Sequence, residues 1–166
     1  MSNVQARLVG QRVPAVRVGE MVDGQLRTVR MPELIGMGSA VIVGVPAAFS
    51  PVCSEKHLPS LVRNADRLRQ AGVGQLVCVV TDNPWAIDAW AKVVDPAHKV
   101  RFLSDGNLSF TRALTVSTHE PKYFLGERSE RYMLTVRSGL IESVRVEDHI
   151  ANISCTEPDD FVLEEV

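Results

Sequence analysis

Val41-Ile42-Val43-Gly44-Val45-Pro46-Ala47-Ala48-Phe49-Ser50-Pro51-Val52-Cys53-Ser54 runs from a nearly continuous apolar segment, past two prolines, to a cysteine. The apolar run at 41–45, preceded by Gly38 and closed by Pro46, predicts a strand buried on both faces, as found at the centre of a helix-covered sheet. Over residues 51–71 the apolar residues Leu58, Leu61, Val62, Ala65 and Leu68 recur at three- and four-residue steps. That spacing predicts a helix with one apolar face, ended by Gly72 and Gly74. Cys53 therefore falls where a buried strand hands the chain to a helix.

Working outward, residues 75–81 read as a second buried strand, and Asp82-Asn83-Pro84 supplies capping residues and a proline for the start of another helix. Trp85, Ala89, Trp90 and Val93 are expected to form its apolar face. Residues 99–103 predict a third, shorter strand, and the turn Ser104-Asp105-Gly106-Asn107 leads into a helical turn over 110–114. Residues 132–136 and 140–146 read as strands joined by Arg137-Ser138-Gly139 in a hairpin. Alternating strands and helices followed by a late hairpin predict an α/β fold with a mixed central β-sheet flanked by helices, a thioredoxin-like layout. No internal repeat or linker divides the chain, so residues 1–166 are expected to form one domain.

The chain has 166 residues, 18 Lys and Arg against 20 Asp and Glu, a formal net charge of -2 and 45% hydrophobic residues. At this length about 68–70% of the unfolded surface is buried on folding, enough for a core without disulfide or metal staples. Balanced charge leaves no basic footprint for nucleic acid or for an anionic membrane. No apolar run approaches the roughly 18–20 residues of a membrane span, and residues 1–18 lack a signal-peptide apolar region. The expected compartment is the cytoplasm. The three cysteines, Cys53, Cys78 and Cys155, are too widely spaced for a paired zinc motif or a C-x-x-C redox pair.

A cysteine at a helix N-terminus sits among free backbone N–H groups and the positive end of the helix dipole, which favour thiolate over thiol. An ordinary thiol is only a few per cent ionised at neutral pH, and a helix end contributes about 0.3–1 kcal/mol, so a nucleophilic Cys53 needs a nearby cation as well. An isolated cysteine is also, about as often, a small buried hydrophobe. The proline-bounded loop and the Ser50 hydroxyl beside Cys53 favour the reactive reading. Cys78, inside Leu76-Val77-Cys78-Val79-Val80, reads as core.

The segment from Pro46 through Ser50 and Cys53 to His57-Leu58-Pro59 resembles the active-site segment of peroxiredoxins: a proline, three residues, a threonine or serine, two residues and a cysteine. The continuation His-Leu-Pro is similar to the type II, peroxiredoxin-5-like branch. Further likeness follows at Val80-Thr81-Asp82, at Ala89-Trp90-Ala91-Lys92 and from Gly126 to Tyr132, so that it extends over nearly the whole chain. The resemblance implies that Cys53 is the peroxidatic cysteine, oxidised by peroxide to a sulfenic acid. By the same resemblance Ser50 hydrogen-bonds the thiolate and the peroxide, Pro46 shields the sulfenate, and Arg131 is the missing cation. Arg131 without that likeness reads as a surface arginine, and Arg128 reads equally as an assistant or a solvated loop residue. His57, one helical turn past Cys53, reads as packing or capping rather than as an acid or base.

Cys155 stands where some peroxiredoxin-5-like proteins place a resolving cysteine. In that role it forms an intramolecular disulfide with Cys53 that a thioredoxin-type donor opens. The carboxylates of Glu157, Asp159 and Asp160 disfavour its thiolate. A bystander Cys155, with reduction by glutathione or glutaredoxin, stays open beside it. The resemblance implies a cofactor-free, metal-free thiol peroxidase for hydrogen peroxide and small organic hydroperoxides, and a homodimer built on loops near the site. The alternative is a redox sensor or interaction module switched by Cys53 oxidation. A protein-disulfide oxidoreductase is disfavoured by the missing C-x-x-C.

Overall fold

The computed structural model describes residues 3–151. Helix α1 (Asn3–Leu8) precedes a hairpin of β1 (Arg17–Val22) and β2 (Gln25–Arg30), then a short helix α2 (Met31–Ile35). Strand β3 (Ser39–Val45) leads through a loop to a π-helical turn (Cys53–His57) that continues as α3 (Leu58–Gln70). There follow β4 (Gln75–Val80), α4 (Pro84–Val94), β5 (Arg101–Ser104), α5 (Ser109–Ala113) and the small pair β6 (Ser117–His119) and β7 (Glu127–Ser129). The hairpin of β8 (Tyr132–Arg137) and β9 (Leu140–Val146) closes the described chain.

Seven strands form one mixed sheet in the order β2-β1-β5-β4-β3-β8-β9. Strands β3, β4 and β5 run parallel at its centre, while β8 pairs antiparallel with β3 and β1 antiparallel with β5. Alternation along the central strands divides the core in two. Ala40, Ile42, Val77 and Val79 face a cluster with Leu8, Met31, Leu34, Phe110 and Leu114. Val41, Val43, Val45, Leu76, Cys78 and Val80 face the other, with Leu58, Leu61, Leu68 and Trp90. Helices thus cover both faces, which is why the central strands carry unbroken apolar runs. The architecture is the expected thioredoxin-like α/β fold.

In α3 the periodic positions Leu58, Leu61, Ala65 and Leu68 are fully buried, and burying each leucine contributes about 1.5–3 kcal/mol. Gly72 (φ 104°) ends the helix, with Val73 N–H donating to the Leu68 carbonyl and Gly72 N–H to that of Arg69. Asn83 caps α4, its side chain accepting from Ala86 N–H at 2.8 Å.

The apolar face expected for α4 is corrected. Ile87 and Trp90 are buried, whereas Trp85 and Val93 are 63% and 68% exposed. This helix is apolar nearly all round, so periodicity alone could not choose the stripe. The Asp88–Lys92 ion pair (3.1 Å) marks the solvent side, and Trp85 lies on it, three residues before Asp88. Strand β5 begins two residues later than expected because the Asp95 carboxylate captures the N–H groups of Lys99 and Val100 at 3.0 and 2.9 Å.

Candidate active site

The antiparallel register of β3 and β8 sets Gly44 opposite Tyr132, so Arg131 arrives at the C-terminal end of β3, where the loop to Cys53 departs. That loop is held by its own carbonyls. The Pro46 carbonyl accepts from Thr81 Oγ1 at 2.8 Å, and Thr81 Oγ1 in turn accepts from Ser129 N–H at 3.1 Å. Arg128 donates to the carbonyls of Leu125 and Thr81 and lies 3.6 Å from Asp82, which makes it a clamp on the loop rather than a solvated arginine. Ser50 Oγ donates to the Ala47 carbonyl at 3.0 Å, and Ser54 N–H bonds the Ser50 carbonyl at 2.9 Å.

Cys53 therefore stands in the first turn of the helical run, as expected, where its own N–H has no carbonyl four residues earlier within the helix. The sulfur is fully buried. Leu58 N–H bonds the Cys53 carbonyl, closing the turn over five residues. Pro59 accounts for that widening, because it has no N–H to return to the Glu55 carbonyl. Trp90 Nε1 donates to Ser54 Oγ at 2.9 Å and fixes the residue after the cysteine from α4.

Arg131 is 1% exposed. Its Nη2 donates to Cys53 Sγ at 3.2 Å and to the Ile150 carbonyl at 2.9 Å, and Nε donates to the same carbonyl at 3.2 Å. Nη1 lies 3.0 Å from His57 Nδ1. A buried guanidinium without partners would be strongly unfavourable, and here each of its nitrogens is engaged. The charge-assisted bond to sulfur stabilises negative charge there.

Cys53, Arg131 and His57 are thus brought together, and Pro46 is buried at the start of the same loop. Ser50 lies on this loop, but its hydroxyl hydrogen is directed at Ala47, not at sulfur. Cys155 lies outside the described residues. Cys78 is core, as expected. Burial pushes its thiol well up from the ordinary range, negative charge at Cys53 adds to this, Arg131 opposes it, and Asp95 adds a smaller upward push. Sequence reasoning missed the His57–Arg131 contact, for which the four-residue Cys53–His57 spacing was the signal. It also missed Thr81 and the Ile150 carbonyl, which no spacing announces.

Residues 8–159 match the Redoxin family. Peroxiredoxin-2C of Oryza sativa subsp. japonica is 32% identical over 142 residues, covering 84% of this chain and 87% of that protein. This chain belongs to the peroxiredoxin family. Chloroplastic Peroxiredoxin-2E-2 of the same rice is 36% identical over 84% of this chain, and mitochondrial Peroxiredoxin-2F of Arabidopsis thaliana 28% identical over 82% of it. The chain spans 64% of the rice chloroplastic protein's length and 62% of that of Arabidopsis Peroxiredoxin-2E. Among solved structures, reduced Prx3 of Vibrio vulnificus in complex with hydrogen peroxide superimposes with a TM-score of 0.86 at 27% identity, covering 95% of this chain and 97% of that one. Peroxiredoxin 5 from Alvinella pompejana gives 0.77 at 30%, covering 84% and 89%. These likenesses make it a type II peroxiredoxin.

The cytoplasmic expectation is overturned by three of these relatives: rice Peroxiredoxin-2E-2 and Arabidopsis Peroxiredoxin-2E are chloroplastic, and Arabidopsis Peroxiredoxin-2F is mitochondrial. It rested on the lack of an apolar leader. Organellar transit segments are amphipathic and Arg- and Ser-rich instead, so hydropathy does not separate the two compartments.

Proposed function

We propose that this peroxiredoxin is a thiol-dependent peroxidase for hydrogen peroxide and small organic hydroperoxides, working as one domain without cofactor or metal. The observation that carries the reading is the Arg131 Nη2 to Cys53 Sγ hydrogen bond of 3.2 Å between two buried side chains. The Cys53 thiolate attacks the terminal peroxide oxygen, and an S–O bond forms as the O–O bond breaks. The leaving hydroxide or alkoxide takes up a proton to become water or an alcohol, and the sulfur becomes a sulfenic acid. Arg131, with donors fixed in place before reaction, stabilises negative charge on sulfur and then on the departing oxygen.

Ser50 serves this chemistry by turning its hydroxyl from Ala47 toward sulfur and peroxide. Serine lacks the methyl that stiffens threonine, so this rotation is easily made. Pro46 screens the sulfenate from water. A thiolate then displaces the sulfenic oxygen as water and forms a disulfide, which a further thiol reduces. In our reading Cys155 is the first of these thiols and a thioredoxin-type protein the donor. Glutathione or glutaredoxin takes both parts if Cys155 is a bystander. The exposed rings of Phe49 and Phe124, at 56% and 94%, both on loops, support a homodimer assembled on loops near the site.

The test is mass analysis and peptide mapping of the protein and its Cys155→Ser variant after one equivalent of hydrogen peroxide. It is followed by peroxide turnover with thioredoxin or glutathione. Many turnovers with Cys53 as the oxidised residue support the peroxidase. A single oxidation without turnover under any donor would favour the sensor, and an unmodified Cys53 would end the assignment. A crosslink lost in Cys155→Ser identifies the resolving thiol.

A further inference from the structure

We propose that His57 is a positioning residue for the Cys53 chemistry, fixing the plane of the Arg131 guanidinium by accepting a hydrogen bond at Nδ1. The consequence for peroxide rests on the peroxidase reading above. A guanidinium has only donors, so the 3.0 Å contact requires Nδ1 without a proton and the neutral imidazole protonated at Nε2. Arg131 Nε and Nη2 converge on one oxygen, the Ile150 carbonyl, at 3.2 and 2.9 Å. One oxygen is a pivot, about which the planar fork can swing and carry Nη2 away from sulfur. Nη1 on His57 is a second, separate anchor, and two anchors leave Nη2 one place to be, 3.2 Å from Cys53 Sγ.

The wide turn delivers that anchor. Closing over five residues, it holds His57 over Cys53, and the widening follows from Pro59 two residues later. His57 is fully buried, whereas its charged neighbours Glu55 and Lys56 are exposed, and the charge that meets its Nδ1 is that of Arg131. An imidazole used only for packing would not need a ring nitrogen directed at the cation that touches the sulfur.

The experiment compares the full chain with His57→Leu, which keeps bulk and loses the acceptor, and with His57→Asn, whose Oδ1 can stand in for Nδ1. His57→Phe is a second variant without an acceptor should leucine fail to fold. Folded protein is assayed for single-turnover oxidation of Cys53 by hydrogen peroxide and, separately, for alkylation of Cys53 by iodoacetamide at neutral pH. We expect the Leu or Phe variant to lose about ten- to a hundredfold in peroxide rate and to alkylate more slowly, with Asn restoring most of both. Wild-type rates in Leu and Phe, or equal losses in Leu and Asn, would overturn the proposal. A wild-type protein that alkylates but consumes no peroxide defeats the peroxidase reading alone, because the alkylation comparison still decides the role of His57.

Discussion

Gly44 and Tyr132 face each other across β3 and β8, and the Tyr132 ring occupies the space a side chain at Gly44 would need: a Cβ there would overlap Cε1 and Cζ of the ring. The pair lies one residue from Arg131 and two from Pro46, so the ring's seat also sets the spacing between the two strands that bear the site. Gly44→Ala is expected to destabilise the fold by about 1–3 kcal/mol through overpacking, because Tyr132 is fully buried and has nowhere to yield. Urea denaturation of Gly44→Ala and of Gly44→Ala with Tyr132→Leu checks it. The second change should recover part of the loss, and a stability unchanged in Gly44→Ala would contradict the contact.

The Tyr132 hydroxyl has no hydrogen-bond partner among the described residues although it is buried. Burial also pushes this phenol well above its ordinary range, with Asp105 and Cys78 adding to the shift. Removing an unpartnered buried hydroxyl removes a desolvation cost. Tyr132→Phe should therefore be no less stable than the wild type, and up to about 1 kcal/mol more so. A clear loss in thermal or urea unfolding would mean the hydroxyl is satisfied.

The central strands were legible because both faces are covered and Val41 to Val45 and Leu76 to Val80 needed no periodicity to stand out. Helix α3 was legible from one clean stripe, and the β8–β9 turn from Ser138-Gly139, both with positive φ. The β1–β2 hairpin carries the equivalent signal in Asp23-Gly24, again both with positive φ, and was overlooked because β2 is largely exposed and its Gln25, Arg27, Thr28 and Arg30 leave no apolar run to mark it. At the site, Cys53 is marked by its loop, but Arg131 is 78 residues away and meets it only through strand register. Composition and spacing carry no trace of that encounter; the family resemblance supplied it. The bonds that hold the loop, from Thr81 to the Pro46 carbonyl and from Arg128 to the Thr81 carbonyl, end on backbone oxygens and are invisible to residue type.

Stability should fall in alkaline solution because of Cys78. Its folded thiol is held well above the ordinary range, chiefly by burial. Below about pH 8.5 the thiol is protonated folded and unfolded alike, and its contribution is fully present. As the pH rises past that value the unfolded chain ionises first and releases protons, so folding is progressively disfavoured until the folded pKa is reached. Tyr132 adds the same sign of dependence above about pH 10. Urea midpoints measured from neutral pH to about 10 should decline, and Cys78→Ala should decline less. Parallel declines in the two proteins would remove Cys78 as the cause.

The loop that carries the cysteine is pinned at its first residue, Pro46. Thr81 Oγ1 is the hinge pin of that loop, giving its proton to the Pro46 carbonyl and taking one from Ser129 N–H, with the residue only 4% exposed. Thr81→Val keeps the shape and deletes both bonds. It leaves a buried N–H without its acceptor, at a cost of about 1–3 kcal/mol. Arg128 Nη1, 3.5 Å from the Pro46 carbonyl, is too long a contact to replace the lost donor. Pro46 is then less firmly held, and with it the start of the segment that sets Cys53 against Arg131. We therefore expect slower oxidation of Cys53 by hydrogen peroxide in folded Thr81→Val, and recovery of both stability and rate in Thr81→Ser, which restores the hydroxyl. If valine and serine behave alike in the rate, the clamp on Pro46 has no part in the chemistry.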